Sequence, residues 1–181
     1  MKNLFLPDHK ALCFAARAHE GQHRKGGKTP YIVHPIGVAE LVKRYTHDQK
    51  MIDAAYLHDV IEDCDVTFND LVNNFDLATA SLVQELTNIY TKEAHPNLNR
   101  KQRKEHENVR LAHISHKAKV IKGCDIWYNI HDMKGLKESD RMLQEKKDTV
   151  IAMFSDIDWG WPDSLFSIRR DLFDFFGIKD K

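Results

Sequence analysis

The feature that most limits the fold is the spacing of the apolar residues. Along nearly the whole chain they recur at intervals of three and four, the period of a helix face, and strand-like alternation is weak. Glycine and proline pairs typical of hairpins are missing as well. Residues 8–20, DHKALCFAARAHE, set Leu12, Ala15, Ala16 and His19 on one face, with Pro7 and Asp8 as a start signal. The stretch GQHRKGGKTPYIVHP (21–35) is glycine-rich, basic and bounded by proline, so it reads as a loop. A helix is expected from near Pro35 to about Tyr45, and the next over roughly 48–63. Thr67, with Asp70 three residues on, has capping-box spacing for a short helix. Further helices are expected over 78–91, 103–114, 116–131, 138–155 and 164–176, with a polar loop at 92–102. The expected architecture is all-α, a compact helical bundle forming a single domain over residues 1–181.

Charge decides what such a bundle can recruit. With 27 basic and 27 acidic residues the formal charge is zero, so no global field draws in nucleic acid or an anionic membrane. Apolar residues at 42% and charged residues at 30% describe a chain that folds rather than a disordered one. Nowhere do 18 apolar residues run together, and MKNLFLPDHK is too polar for a signal peptide. Cys13, Cys64 and Cys124 are odd in number, far apart and in no CxxC pair, so they read as reduced core residues. Together these features imply a cytoplasmic protein with no nucleic-acid or membrane partner. Phe173, Phe175 and Phe176 either close the core or face a partner, which leaves a homo-oligomer open.

The stretch AAYLHDVIEDC (54–64) carries the first chemical signal. His-Asp occurs three times, at His47-Asp48, His58-Asp59 and His131-Asp132, but only His58-Asp59 ends a continuous apolar run. Asp48 reads as an N-cap, and His131-Asp132 closes a helix. Met51, Ile52, Ala54, Ala55, Leu57, Val60 and Ile61 cover most of the helix circumference, which implies burial on most sides. His58 and Glu62 are i,i+4 neighbours, as are Asp59 and Asp63. Three carboxylates near a helix C-terminus oppose its dipole, and burial raises their cost further. A divalent cation would remove both objections. The alternative is that Glu62 and Asp63 are simply solvated at the helix end. Asp125 falls beside an apolar stripe in KAKVIKGCDIWYNI (117–130), shares a face with Asn129, and has Lys122 as a purely structural partner. His34 ends the apolar segment of YIVHP, where a lone histidine is either core filler or a ligand.

The series AxxAHxGQxRKGGKTPYIVHPxxVAxL (15–41), AAYLHDVIED (54–63) and AKVIKGCDIWYN (118–129) resembles the HD-superfamily hydrolase domain of the RelA/SpoT family. The likeness covers roughly residues 8–135, with the helices after 138 outside it, and its three motifs keep the family order. With no synthetase region in these residues, it is to the stand-alone small alarmone hydrolases, which include the metazoan SpoT homologues. It implies removal of the 3′-pyrophosphate of (p)ppGpp to give GDP or GTP. His34, His58, Asp59 and Asp125 match the family's metal ligands, which usually hold one Mn²⁺. Glu62 and Asp63 match the acidic pair that works on the attacking water. Arg24 and Lys25 match the RK pair that contacts nucleotide and phosphate, and Asn129 matches the asparagine that meets the nucleotide.

Departures fall at Ile126, where the family commonly has arginine, at Trp127-Tyr128 in place of Leu-His, and at Cys64 in place of threonine. None touches a metal ligand or the acidic pair. Two other functions compete with the first. One is a related HD phosphohydrolase acting on another nucleotide, such as the 2′-phosphate of NADPH or an adenosine alarmone. The other is a non-catalytic nucleotide sensor, against which the intact Glu62-Asp63 pair argues. The basic run NRKQRK (99–104) is either an extra phosphate contact or a solvated face.

Overall fold

The computed structural model describes residues 10–25, 27–132, 139–156 and 160–179. Pro7, Asp8 and Gly26 therefore lie outside the described residues. Ten helical segments and no strand are found among them, so the chain is all-α. The fold resolves into two compact units, Met1–Thr87 and Asn88–Lys181.

The first unit holds α1 (Lys10–Ala18), α2 (Val33–Val42), α3 (Gln49–Leu57), α4 (Val60–Asp63), α5 (Phe68–Asn74) and α6 (Leu77–Leu86). Its centre is α3, which packs against α1, α2 and α6. Met51, Ile52, Ala54, Ala55, Tyr56 and Leu57 are all buried, so α3 has no wide solvent face, as its apolar coverage implies. Asp48 caps it by accepting from the Lys50 N–H at 3.0 Å. The Thr67–Asp70 capping box forms as its spacing predicts, with both reciprocal bonds in place at the start of α5. Helix α2 begins at Val33, two residues ahead of Pro35, whose missing N–H falls in the first turn where no helical acceptor exists.

The expected helix over 48–63 is interrupted. His58 and Asp59 form a turn between α3 and α4, with Asp59 at φ −102° and ψ −5°. His58 Nδ1 lies 2.8 Å from the Ala55 carbonyl, an acceptor that a continuing helix would give to the N–H of residue 59. Three other expectations are also corrected. The helix over 78–91 stops at Leu86, because the N–H groups of Ile89 and Tyr90 both donate to the Glu107 carboxylate. Only Cys124 is a core cysteine, since Cys13 is exposed and Cys64 half-buried. Ala16 likewise faces solvent rather than the core.

The second unit holds α7 (Arg100–Ala112), α8 (His116–Asp132), α9 (Ser139–Phe154) and α10 (Asp163–Phe176). Helix α7 begins three residues before its expected start, because Asn99 and Gln102 form a capping box. Its basic run is engaged locally: Arg100 makes a two-pronged bond to Glu145 at 3.0 and 2.8 Å, and Arg103 reaches the Leu98 carbonyl. Lys101 and Lys104 of the same run are exposed. Helices α8 and α10 approach closely at Gly123, where an added Cβ would lie 2.8 Å from Ile168. Phe173 is buried and Phe175 is 39% exposed, so the C-terminal phenylalanines divide between core and surface. Among the described residues no helix is long and apolar enough to cross a membrane.

Candidate metal centre

Three residues chosen from the sequence converge in the first unit. His34, on the first turn of α2, and His58, at the end of α3, are each almost fully buried. Their Nε2 atoms lie 3.1 Å apart, and the Asp59 Oδ2 atom lies 3.5 Å from His34 and 3.1 Å from His58. One ligand atom from each of these residues falls within a 4.8 Å cluster, and this is the one such group among the described residues.

The donor chemistry fits a cation. A carbonyl only accepts hydrogen bonds, so the contact with Ala55 O requires His58 Nδ1 to carry the hydrogen. In the neutral ring this leaves the Nε2 lone pair facing His34 and Asp59. Two imidazoles and a carboxylate converging in this way suit a divalent metal of intermediate hardness, and a carbonyl behind a histidine is the usual support for such a ligand.

The break at residues 58–59 also alters the electrostatics expected from the sequence. Glu62 and Asp63 stand in the first turn of α4, not at the C-terminus of a long helix, so they do not oppose the α3 dipole as a continuous helix would require. Both are exposed in the chain, and Asp59 keeps 17% side-chain exposure. The burial cost therefore falls on His34 and His58.

Sequence reasoning missed Tyr31. Its hydroxyl sits 2.7 Å from Asp59 Oδ2 and 2.9 Å from Asp63 Oδ2, so one phenol joins a cluster ligand to the acidic pair. Burial pushes the Tyr31 pKa far above the ordinary phenol range, reinforced by the charges and hydrogen bonds of Asp59 and Asp63. The ring stacks on buried His19 with centroids 4.7 Å apart, and the Arg24 guanidinium lies 5.6 Å from its centre. The signal was its place three residues before His34 in YIVHP, but a tyrosine in an apolar segment reads as core.

Arg24 is set by a small turn. The Arg24 N–H donates to Thr29 O and the Tyr31 N–H to Gln22 O, both at 2.9 Å, while Gly27 takes φ +87°. Lys25 sits exposed in that turn. Cys64 lies 3.2 Å from His19 Nδ1, and Gln22 Nε2 donates to its sulfur at 3.7 Å and to the Asp63 carbonyl at 2.8 Å. Burial pushes the Cys64 thiol up, against the pull of the Gln22 bond, so the sulfur is a packing and hydrogen-bonding group rather than a ready nucleophile.

Asp125 and Asn129 belong to the second unit, on α8. Asp125 is buried, with Lys122 Nζ at 2.9 Å from one oxygen and Asn129 Nδ2 at 2.5 Å from the other. The neighbouring departure, Ile126, is fully buried, and Trp127 packs with His131 and Phe175.

The family described as HD domain matches residues 11–155. The guanosine-3′,5′-bis(diphosphate) 3′-pyrophosphohydrolase MESH1 of Xenopus tropicalis is 37% identical over 128 residues, spanning 69% of this chain and 68% of the relative. The protein of the same name from Homo sapiens is 38% identical over 130 residues, 68% of each chain. A solved structure, described as a metazoan orthologue of SpoT that hydrolyses ppGpp, superposes with a TM-score of 0.75 at 27% identity. That match covers 95% of this chain and 96% of the other.

Proposed function

The chain belongs to the HD domain family, and from that premise we propose that it is a metal-dependent hydrolase of the 3′-pyrophosphate of (p)ppGpp. The observation that carries this reading is the convergence of His34, His58 and Asp59 beside a phenol that reaches Asp63. Products are GDP or GTP and pyrophosphate. The reading takes both units as parts of one HD domain, since the family match from residue 11 to 155 spans both.

In this reading His34, His58, Asp59 and Asp125 would hold one Mn²⁺. When bound, such an ion supplies Lewis acidity toward water and toward a phosphoryl oxygen. Glu62 and Asp63, exposed on α4, accept the proton of the attacking water. Arg24 offers a two-pronged contact to phosphate and Lys25 a point charge. Asn129 orients the nucleotide. His58 keeps its Nε2 lone pair inward because the Ala55 carbonyl holds the hydrogen on Nδ1.

A second reading keeps the ligands and changes the nucleotide. It is favoured by Ile126, fully buried where the family commonly places arginine, since no guanidinium is available there to meet a guanine base. A panel of ppGpp, ppApp and NADPH with purified protein and Mn²⁺, resolved by product, separates the two. Pyrophosphate release from ppGpp above the others supports the first reading, and a preference for ppApp or NADPH supports the second. No turnover of any of the three leaves a nucleotide sensor.

A further inference from the structure

We propose that Tyr31 is a positioning residue that fixes the Asp59 ligand oxygen and Asp63 relative to each other and supplies the platform for Arg24. The proposal rests on the metal-hydrolase reading above and extends it to a residue outside the ligand set and the acidic pair. The atom that Tyr31 reaches on Asp59 is Oδ2, the same oxygen that faces both histidines. One hydroxyl hydrogen serves two carboxylates, 2.7 and 2.9 Å away, which draws two like charges onto a common point. Left alone, two carboxylates repel, and each is free to rotate about its own side-chain bonds.

The ring itself is held on several sides. His19 stacks against it, His34 meets it edge-on at 6.0 Å, and Arg24 lies within cation–π distance. His19 Nδ1 is 2.9 Å from Gln22 Oε1, and Gln22 in turn donates to the Asp63 carbonyl. The backbone and the side chain of Asp63 are therefore fixed by separate donors, Gln22 and Tyr31. A rigid ring leaves its hydroxyl little choice of position, so it defines where the two carboxylates sit.

The test separates the hydroxyl from the ring. Tyr31→Phe keeps the stack and the Arg24 platform and removes the donor, whereas Tyr31→Leu removes both. Mn²⁺ titration of the metal-free full-length protein by calorimetry is the first readout, and the outer-shell role predicts about tenfold weaker binding in both variants. With ppGpp, Tyr31→Phe should lower kcat and leave KM unchanged, whereas Tyr31→Leu should also raise KM. Wild-type Mn²⁺ affinity in Tyr31→Phe overturns the proposal, as does a rise in KM equal in the two variants. If Tyr31→Phe lacks a cooperative melt, 3-fluorotyrosine at the same position retains the hydroxyl and alters its donor strength. A shifted Mn²⁺ affinity is then expected, and an unshifted one overturns the proposal. Because the titration needs no substrate, a wild-type protein that binds Mn²⁺ but leaves ppGpp intact rejects the proposed activity without touching this result.

Discussion

At the scale of single residues, Asp125 shows how a buried acid finds its partners inside its own helix. Lys122 lies one turn before it and Asn129 one turn after, each on a different carboxylate oxygen. Replacing Lys122 by methionine keeps the stem and removes the ammonium that lies 2.9 Å from a buried carboxylate. Urea unfolding should then report a loss of about 3 kcal/mol. In the proposed reading the acidic residues of the first unit divide by role. Asp59→Ala removes a cluster ligand and should abolish Mn²⁺ binding, whereas Glu62→Ala should spare binding and slow turnover by about 100-fold. Full activity in Glu62→Ala would show that another group handles the water's proton. His34, His58 and Asp59 were legible because ionisable groups at the ends of apolar runs demand an explanation. Tyr31 was not, because its hydroxyl gains meaning only when folding brings residues 59 and 63 beside it.

Among the elements, the sequence was most readable where a helix has one apolar stripe and clear ends. Helices α8, α9 and α10 lie within one residue of their expected bounds. The break at His58-Asp59 carries no glycine or proline, and it comes from side-chain bonds that no local rule contains. The early end of α6 has a similar origin, since Glu107 takes the N–H groups of Ile89 and Tyr90 from 18 and 17 residues away. One packing contact gives a sharp test. A Cβ at Gly123 meets the side chains of Ile168 at 2.8 Å, Leu172 at 3.4 Å and Phe154 at 3.5 Å, so Gly123→Ala must displace Ile168 or push α8 off α10. The cost should be about 1–3 kcal/mol by chemical denaturation, despite the better helix propensity of alanine.

Across the whole molecule, the response to acid follows from carboxylates held below their usual range. Hydrogen bonding to Lys43 lowers Glu40, bonding to Arg100 lowers Glu145, the Thr67 side chain lowers Asp70, and the Thr79 N–H lowers Asp76. A folded-state pKa below the unfolded value adds stability that is present above the unfolded pKa. That stability is lost as pH falls through the folded value. The urea midpoint should hold steady from neutrality and decline below about pH 4. Because these groups are largely exposed, the decline should shrink in high salt, and a midpoint that rises on acidification would contradict the assignment. The three clustered donors lie between residues 34 and 59, inside the first unit. In the proposed reading, cation binding is thus thermodynamically linked to folding: these three donors clip a short loop of the first unit closed, and the fourth proposed ligand, Asp125, lies on α8. Stripping a bound metal with a chelator should then speed amide exchange around residues 31–63, so the proposed ion would act on the chain as a local staple as well as a reagent.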